Sequence, residues 1–186
     1  MVESNARIDH YGPKDTLLLR DPILEVYLAS HRGQQDNAWY SPDQFWQRLV
    51  EFYAPSRDFG LVAAWLGESM IGYAFGSPMQ NSAEVWEMTR QALPEMQIPQ
   101  EPQPIYFFRE FAVHPEHQGK GYGRKIHDAL LKTRTEQLAH LLVRTDNQAK
   151  ASYLNWGWLV VGKVQPFDDA PTMDAMIRNL PLDSRL

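Results

Sequence analysis

The chain has 186 residues, a net charge of -5 and no cysteine. Its length suits one domain with one core, and the missing cysteine excludes a disulfide framework, a thiolate metal site and a cysteine nucleophile. The acidic balance argues against a nucleic-acid partner, which calls for a basic surface, and fits a cationic one.

In chain order, residues 7–11 read as a short strand. Residues 14–29 carry apolar side chains at helical spacing. Leu17, Leu18, Ile23, Leu24 and Tyr27 are expected on the buried face, and Pro22 at a break or a first turn. Ser41 and Pro42 make a helix start, as cap and first position. That helix runs through Phe45, Trp46, Leu49, Val50 and Phe52, and Pro55 ends it. Residues 59–66 and 70–75 read as the two strands of a hairpin about Gly67-Glu68. Residues 77–104 hold Pro78, Pro94, Pro99, Pro102 and Pro104, with a helical patch over 84–93. A stretch this long reads as an insertion over one side of a sheet.

Residues 105–113, rich in aromatic and β-branched side chains, form the clearest strand. A loop over 114–120 leads into a helix over 121–136, whose expected core stripe is Ile126, Ala129, Leu130 and Thr133. A strand over 138–144 follows, then a helix over 148–156 closed by Gly157, then strands over 158–164 and 172–178. This order implies an α/β (mixed α+β) fold with a partly antiparallel sheet and helices on both faces. The polar residues 1–10 lack the apolar centre of a secretory signal. No run reaches the about 18 apolar residues of a membrane helix. The expectation is a cytoplasmic protein, monomer or homodimer, with no membrane and no nucleic-acid partner.

The most informative segment is Gln118-Gly119-Lys120-Gly121-Tyr122-Gly123, between a strand and a helix. Glycines there let backbone approach a ligand, and a helix N-terminus presents free N–H donors to phosphate. Lys120, Arg124 and Lys125 add positive charge. The loop is not a Walker A motif, because Lys120 is followed by Gly121 rather than Ser or Thr. It is not a dinucleotide fingerprint either, since Arg124 or Ile126 stands where the last glycine belongs. His114 and His117 show H-x-x-H spacing with no third ligand in view, so no metal is expected; no G-x-S-x-G elbow is present.

The stretch from Phe111-Ala112-Val113 through His114, Pro115, Glu116 and His117 to the glycine loop resembles the coenzyme A motif of the GNAT (general N-acetyltransferase) superfamily, with Gln118, Gly121 and Gly123 at its fixed positions. A second stretch, from Asp146 and Asn147 to Tyr153, Gly157 and Trp158, resembles that family's later signature. There Asp146 occupies the expected place of the asparagine and Asn147 lies one residue nearer to Tyr153, so either could contact coenzyme A or cap the helix.

The resemblance implies one N-acetyltransferase domain over 1–186, with a central twisted, mostly antiparallel sheet of six or seven strands. It implies acetyl-coenzyme A as cosubstrate and an amine as acceptor, joined by direct attack in a ternary complex. The amides from Gln118 through Gly119, Lys120, Gly121 and Tyr122 to Gly123, with Arg124, would hold the pyrophosphate. The strand Phe111-Ala112-Val113 would meet the pantetheine, the N–H near Val113 would face the thioester carbonyl, and Tyr153 would protonate the leaving thiolate. A tyrosine hydroxyl, with an ordinary pKa of about 10, is protonated at neutral pH and can donate.

The amine must lose a proton. Glu110, flanked by Phe108 and Phe111 on the clearest strand, is the first candidate base, its pKa raised by desolvation. A structural ion pair with Arg109, Arg144 or another cation is the equal alternative, and Glu84, Glu87 and His114 are weaker candidates. Aromatic density places the acceptor at Tyr40, Phe45 and Trp46, at Tyr73 and Phe75, and at Trp86 and Met88, with the core as the better reading of Phe45 and Phe75. Three other readings remain: a non-catalytic acyl-coenzyme A-binding regulator, an acyltransferase that takes a longer acyl group or a hydroxyl acceptor, and a peptide or protein acetyltransferase.

Overall fold

The computed structural model describes residues 6–33, 40–166 and 171–182. Seven strands run in the order β1-β2-β3-β4-β5-β7-β6, a mixed sheet with helices between its strands. The chain separates into two compact units, Met1–Ser77 with Glu110–Thr133, and Pro78–Arg109 with Arg134–Leu186.

The first unit begins with β1 (Arg7–Tyr11), which pairs antiparallel with β2 (Gly60–Leu66). β2 in turn pairs antiparallel with β3 (Ser69–Met79) about the expected Gly67 turn, where φ is 59°. The helical stretch after β1 is not continuous. A short α1 (Pro13–Thr16) passes through a 3-10 turn, Leu17–Leu19, into α2 (Arg20–Ser30). That tighter turn rotates the apolar face, so Leu17 and Leu18 are 43% and 82% exposed, against the expectation, while Ile23, Leu24, Val26 and Tyr27 are buried. α3 (Pro42–Arg48) starts where predicted, although the Ser41 side chain makes no cap hydrogen bond. It continues through a wider π turn, Leu49–Tyr53, which leaves Phe52 outside. These helices cover a cluster of Ile23, Tyr27, Phe45, Leu49, Phe59, Tyr73, Phe75 and Ala112.

α5 (Tyr122–Leu131) packs against β1 and β2 in the same unit. It is shorter than the reading of 121–136, and its buried positions are Ile126, His127, Leu130 and Leu131. Thr133 lies beyond its end, exposed, and Ala129 is half-buried. His127 takes an inward place because its Nδ1 pairs with Asp128 Oδ1 at 2.7 Å.

In the second unit, α4 (Ala83–Ala92) is the helical patch of the proline-rich stretch. It packs on β6 (Leu159–Val164), where a Cβ at Gly162 would stand 2.9 Å from Met88 Sδ. β4 (Ile105–Val113), which belongs to this unit as far as Arg109 and to the first unit from Glu110, and β5 (Leu138–Arg144) have the predicted bounds. They run parallel, with Tyr106 opposite Ala139 and Phe107 opposite His140. β5 then pairs antiparallel with β7 (Met173–Asn179), and β7 with β6. α6 (Ala149–Asn155) precedes β6. Val85, Trp86, Ile105, Leu138, Val161, Ala175 and Ile177 form the core of this unit. No helix among the described residues is long and apolar enough to cross a membrane.

Candidate active site

The first unit carries the glycine loop. β4 ends at Val113, and the His114 amide donates to Ile71 O at 2.9 Å, which ties the strand end to β3. Gly72 makes that approach possible: a Cβ there would stand 2.9 Å from Ala112 O and 3.3 Å from Val113 Cα. A 3-10 turn over Pro115–His117 follows, and Gln118 folds back so that its Nε2 donates to Val113 O at 2.9 Å. Gly119 and Gly121 then adopt φ of 71° and 81°, left-handed values that only glycine takes freely. A Cβ on either would meet nothing within 4 Å, so the loop is open above its backbone. Gly121 is the N-cap of α5, and the amides of Tyr122 and Gly123 in the first turn lack intrahelical acceptors by geometry. These features fit a pyrophosphate.

The charges around the loop are partly engaged. Arg124 Nε donates to Asp128 at 2.6 Å, and Lys120 Nζ donates to Glu116 O at 2.7 Å. His114, Glu116 and His117 each offer a ligand atom, all within 4.8 Å of one another. Glu116 thus joins the two histidines as a third group of metal-ligating type, brought there by the 3-10 turn, which H-x-x-H spacing alone does not signal.

Glu110, also in the first unit, enters the aromatic cluster from β4. It is two residues from Ala112, so it shares that residue's face of the strand. Burial pushes its carboxyl up to about 7, against the pull of the Arg48 charge and the Phe111 amide. Arg144, one of the structural partners considered for it, forks onto Asp146 at 3.0 and 2.7 Å. Tyr27 stacks on Phe45 with centroids 4.0 Å apart and on His31 at 4.2 Å. Tyr40 lies tilted on His31 at 5.5 Å, and Trp46 is half-buried against the same cluster. Tyr40, Trp46, Tyr73 and Glu110 are therefore all part of this unit. Tyr27, His31 and Arg48 were missed as site residues, since only the packing of α2 and α3 brings them there.

The second unit carries Tyr153, Asp146, Asn147 and Trp86. Tyr153 is 6% exposed on α6. The helix closes in a Schellman turn, with Trp158 N donating to Tyr153 O at 3.0 Å and Gly157 N to Leu154 O at 3.1 Å. Gly157 has φ of 87°. The ring of Tyr153 meets Phe108, Trp156 and Trp158 at 6.3, 5.8 and 6.0 Å, all edge-on. Asn147, just before the Gln148 N-cap, accepts the Ala149 amide of the first turn of α6 on its Oδ1 at 2.8 Å, while Asp146 holds Arg144. Lys150, one turn before Tyr153, is tied to the buried Asp174 of β7 at 2.6 Å. Trp86 is 1% exposed and donates its indole N–H to Gln103 O at 2.7 Å, which supports a packing role.

The profile of the acetyltransferase (GNAT) family matches residues 21–158, and the chain belongs to that family. It is an acetyltransferase of a class that uses acetyl-coenzyme A. Among solved structures the chain is similar to PH1933 from Pyrococcus horikoshii OT3, at 19% identity and a TM-score of 0.65 over 97% of this chain and 100% of that one. It is similar to the PaiA N-acetyltransferase from Thermoplasma acidophilum in complex with coenzyme A, at 14% and 0.54 over 93% and 99%. It is also similar to the ribosomal-protein-S18-alanine N-acetyltransferase from Escherichia coli, at 17% and 0.57 over 97% and 96%. At such identities the likeness speaks for the fold. No curated protein matches the chain.

Proposed function

We propose that the chain transfers the acetyl group of acetyl-coenzyme A to a primary amine of a small molecule, by direct attack in a ternary complex and with one domain made of both units. In this reading the amides from Gln118 to Gly123, with Lys120 and Arg124, bind the pyrophosphate. Phe111, Ala112 and Val113 hold the pantetheine, and the Val113 N–H polarises the thioester carbonyl. Asp146 and Asn147 set the start of α6. Glu110 takes the proton of the attacking amine, and Tyr153 gives one to the departing thiolate. Tyr40 and Trp46, both partly exposed, line the acceptor side, with the fully buried Tyr73 packed behind them. A cytoplasmic location belongs to the same proposal, supported by a cysteine-free composition.

The observation that carries the reading is Glu110: a carboxyl among aromatic rings, poised at about 7, on the strand that ends at Val113. The test is calorimetric titration with acetyl-coenzyme A, then thiol release with a panel of small amines and peptide N-termini. Binding with thiol release on small amines, and kcat/KM rising with pH through about 7, is the expected outcome. Release with peptides alone selects the protein-acetylating alternative. Binding without release on any acceptor selects the regulator.

A further inference from the structure

Tyr73 lies in the middle of β3 with 0% of its surface exposed, and its hydroxyl has no hydrogen-bond partner among the described residues. Phe75, two residues on, is equally buried in the same cluster, and the two rings are parallel to within 5°. The packing at these two positions therefore asks for an aromatic ring, and the oxygen on Tyr73 is extra. A buried hydroxyl without a partner costs stability, and a group kept at such a cost calls for an explanation.

The explanation faces it from the neighbouring strand. Ala112 belongs to the cluster that holds Tyr73, and Glu110 is on the same face of β4 as Ala112. Gly72, just before Tyr73, lets β3 and the end of β4 close to contact. The Glu110 charge is felt at both Tyr73 and Tyr27, raising each phenol further above its ordinary value beyond what burial does. Among the described residues, the other charged or titratable groups near this face are Arg48 at the end of α3, His31 at the C-cap of α2, and Tyr40. The carboxylate of Glu110 can accept several hydrogen bonds, and among the described residues the Phe111 amide donates one. A buried donor without an acceptor thus lies near a carboxylate with room for a further donor.

We propose that Tyr73 is a positioning residue for Glu110, whose carboxylate swings onto the Tyr73 hydroxyl when Glu110 loses its proton and leaves it when the proton returns. The bond forms on ionisation, because a neutral carboxyl has less need of a donor and a charged one binds it more strongly. It aims the carboxylate while the base is ready to accept, and it holds the ionisation near neutral pH against the desolvation that drives it up. The bond that changes is the Glu110 O–H: it breaks when the proton leaves to solvent, and it forms, as an N–H bond of the acceptor amine breaks, when Glu110 acts as base; the Tyr73 O–H stays intact throughout. The inference rests on Glu110 serving as base in the proposed acetyl transfer.

The test is carboxyl carbon NMR titration of Glu110 in the intact protein, wild type against Tyr73→Phe, together with the pH profile of kcat/KM for thiol release. The expected result is a Glu110 midpoint higher by about one pH unit in the variant, the consequence of losing one hydrogen bond to the charged form. The kinetic limb should move with it, the affinity for acetyl-coenzyme A should stay unchanged, and the melting temperature at pH 5 should not fall. An unchanged or lowered midpoint overturns the inference, as does a variant that melts earlier at pH 5 with its pH limb in place. If no amine releases thiol while the midpoint still moves, the acetyl-transfer reading fails and the Tyr73–Glu110 bond stands.

Discussion

Tyr153 is held by the end of its own helix. The carbonyl of Tyr153 accepts the Trp158 amide, and the two rings meet edge-on, so the turn that stops α6 also fixes its tyrosine. The ring packing survives loss of the hydroxyl, which isolates the chemistry from the fold. Tyr153→Phe should lower kcat by about 10²–10⁴-fold, the range for removing an acid–base group, and leave acetyl-coenzyme A affinity and melting temperature unchanged. Thiol-release kinetics beside calorimetric binding check this, and an unchanged kcat removes Tyr153 from the mechanism. Glu110 is the complementary case. Its folded-state pKa is raised, so the folded chain holds that proton more tightly than the unfolded chain. The stability it contributes is present below its ordinary value and lost as pH rises toward about 7.

At the scale of elements, the approach of β3 to β4 is set by one missing side chain. Gly72→Ala places a Cβ against the backbone of Ala112 and Val113, and a backbone atom yields less than the tip of a side chain. The expected cost is overpacking of about 1–3 kcal/mol, read as a lower denaturation midpoint, with kcat/KM falling because the end of β4 shifts. Wild-type stability and turnover in the variant would mean that this contact is loose. The strands β4 and β5 were legible in the sequence to the residue, because long aromatic and β-branched runs admit few alternatives. The glycine loop was legible too, since its turn needs φ that glycine supplies. Helix faces were less so. The break at Leu17–Leu19 and the inward His127 depend on a turn type and a neighbour pair that periodicity does not encode. Tyr73 was read from aromatic density as part of the acceptor side, with Glu110 as base; that Tyr27 and Arg48 join them was illegible, because it needs four elements distant in sequence to meet.

For the molecule as a whole, the acid side of its stability is written in His140. This residue is 3% exposed on β5, its Nδ1 is 3.0 Å from Met176 O, and its ring is 5.0 Å from that of Phe107. Burial lowers its pKa to about 4, with the charge of Arg109 acting the same way and the Met176 carbonyl opposing. The unfolded chain therefore takes the proton first. Stability carried by the neutral ring is complete above about 6.5 and is lost as pH falls toward about 4, a difference of roughly 3 kcal/mol. Calorimetric melting across this range should show a fall that His140→Asn flattens; an equally steep fall in the variant would assign acid lability elsewhere.

The two compact units bear on how the chain can be dissected. The path leaves the first unit after Ser77, returns at Glu110 and leaves again after Thr133. Two of those crossings lie inside strands, within β3 and within β4. No single cut yields a fragment that is one unit and nothing else. A protease or a truncated gene can remove half of the residues but not half of the structure.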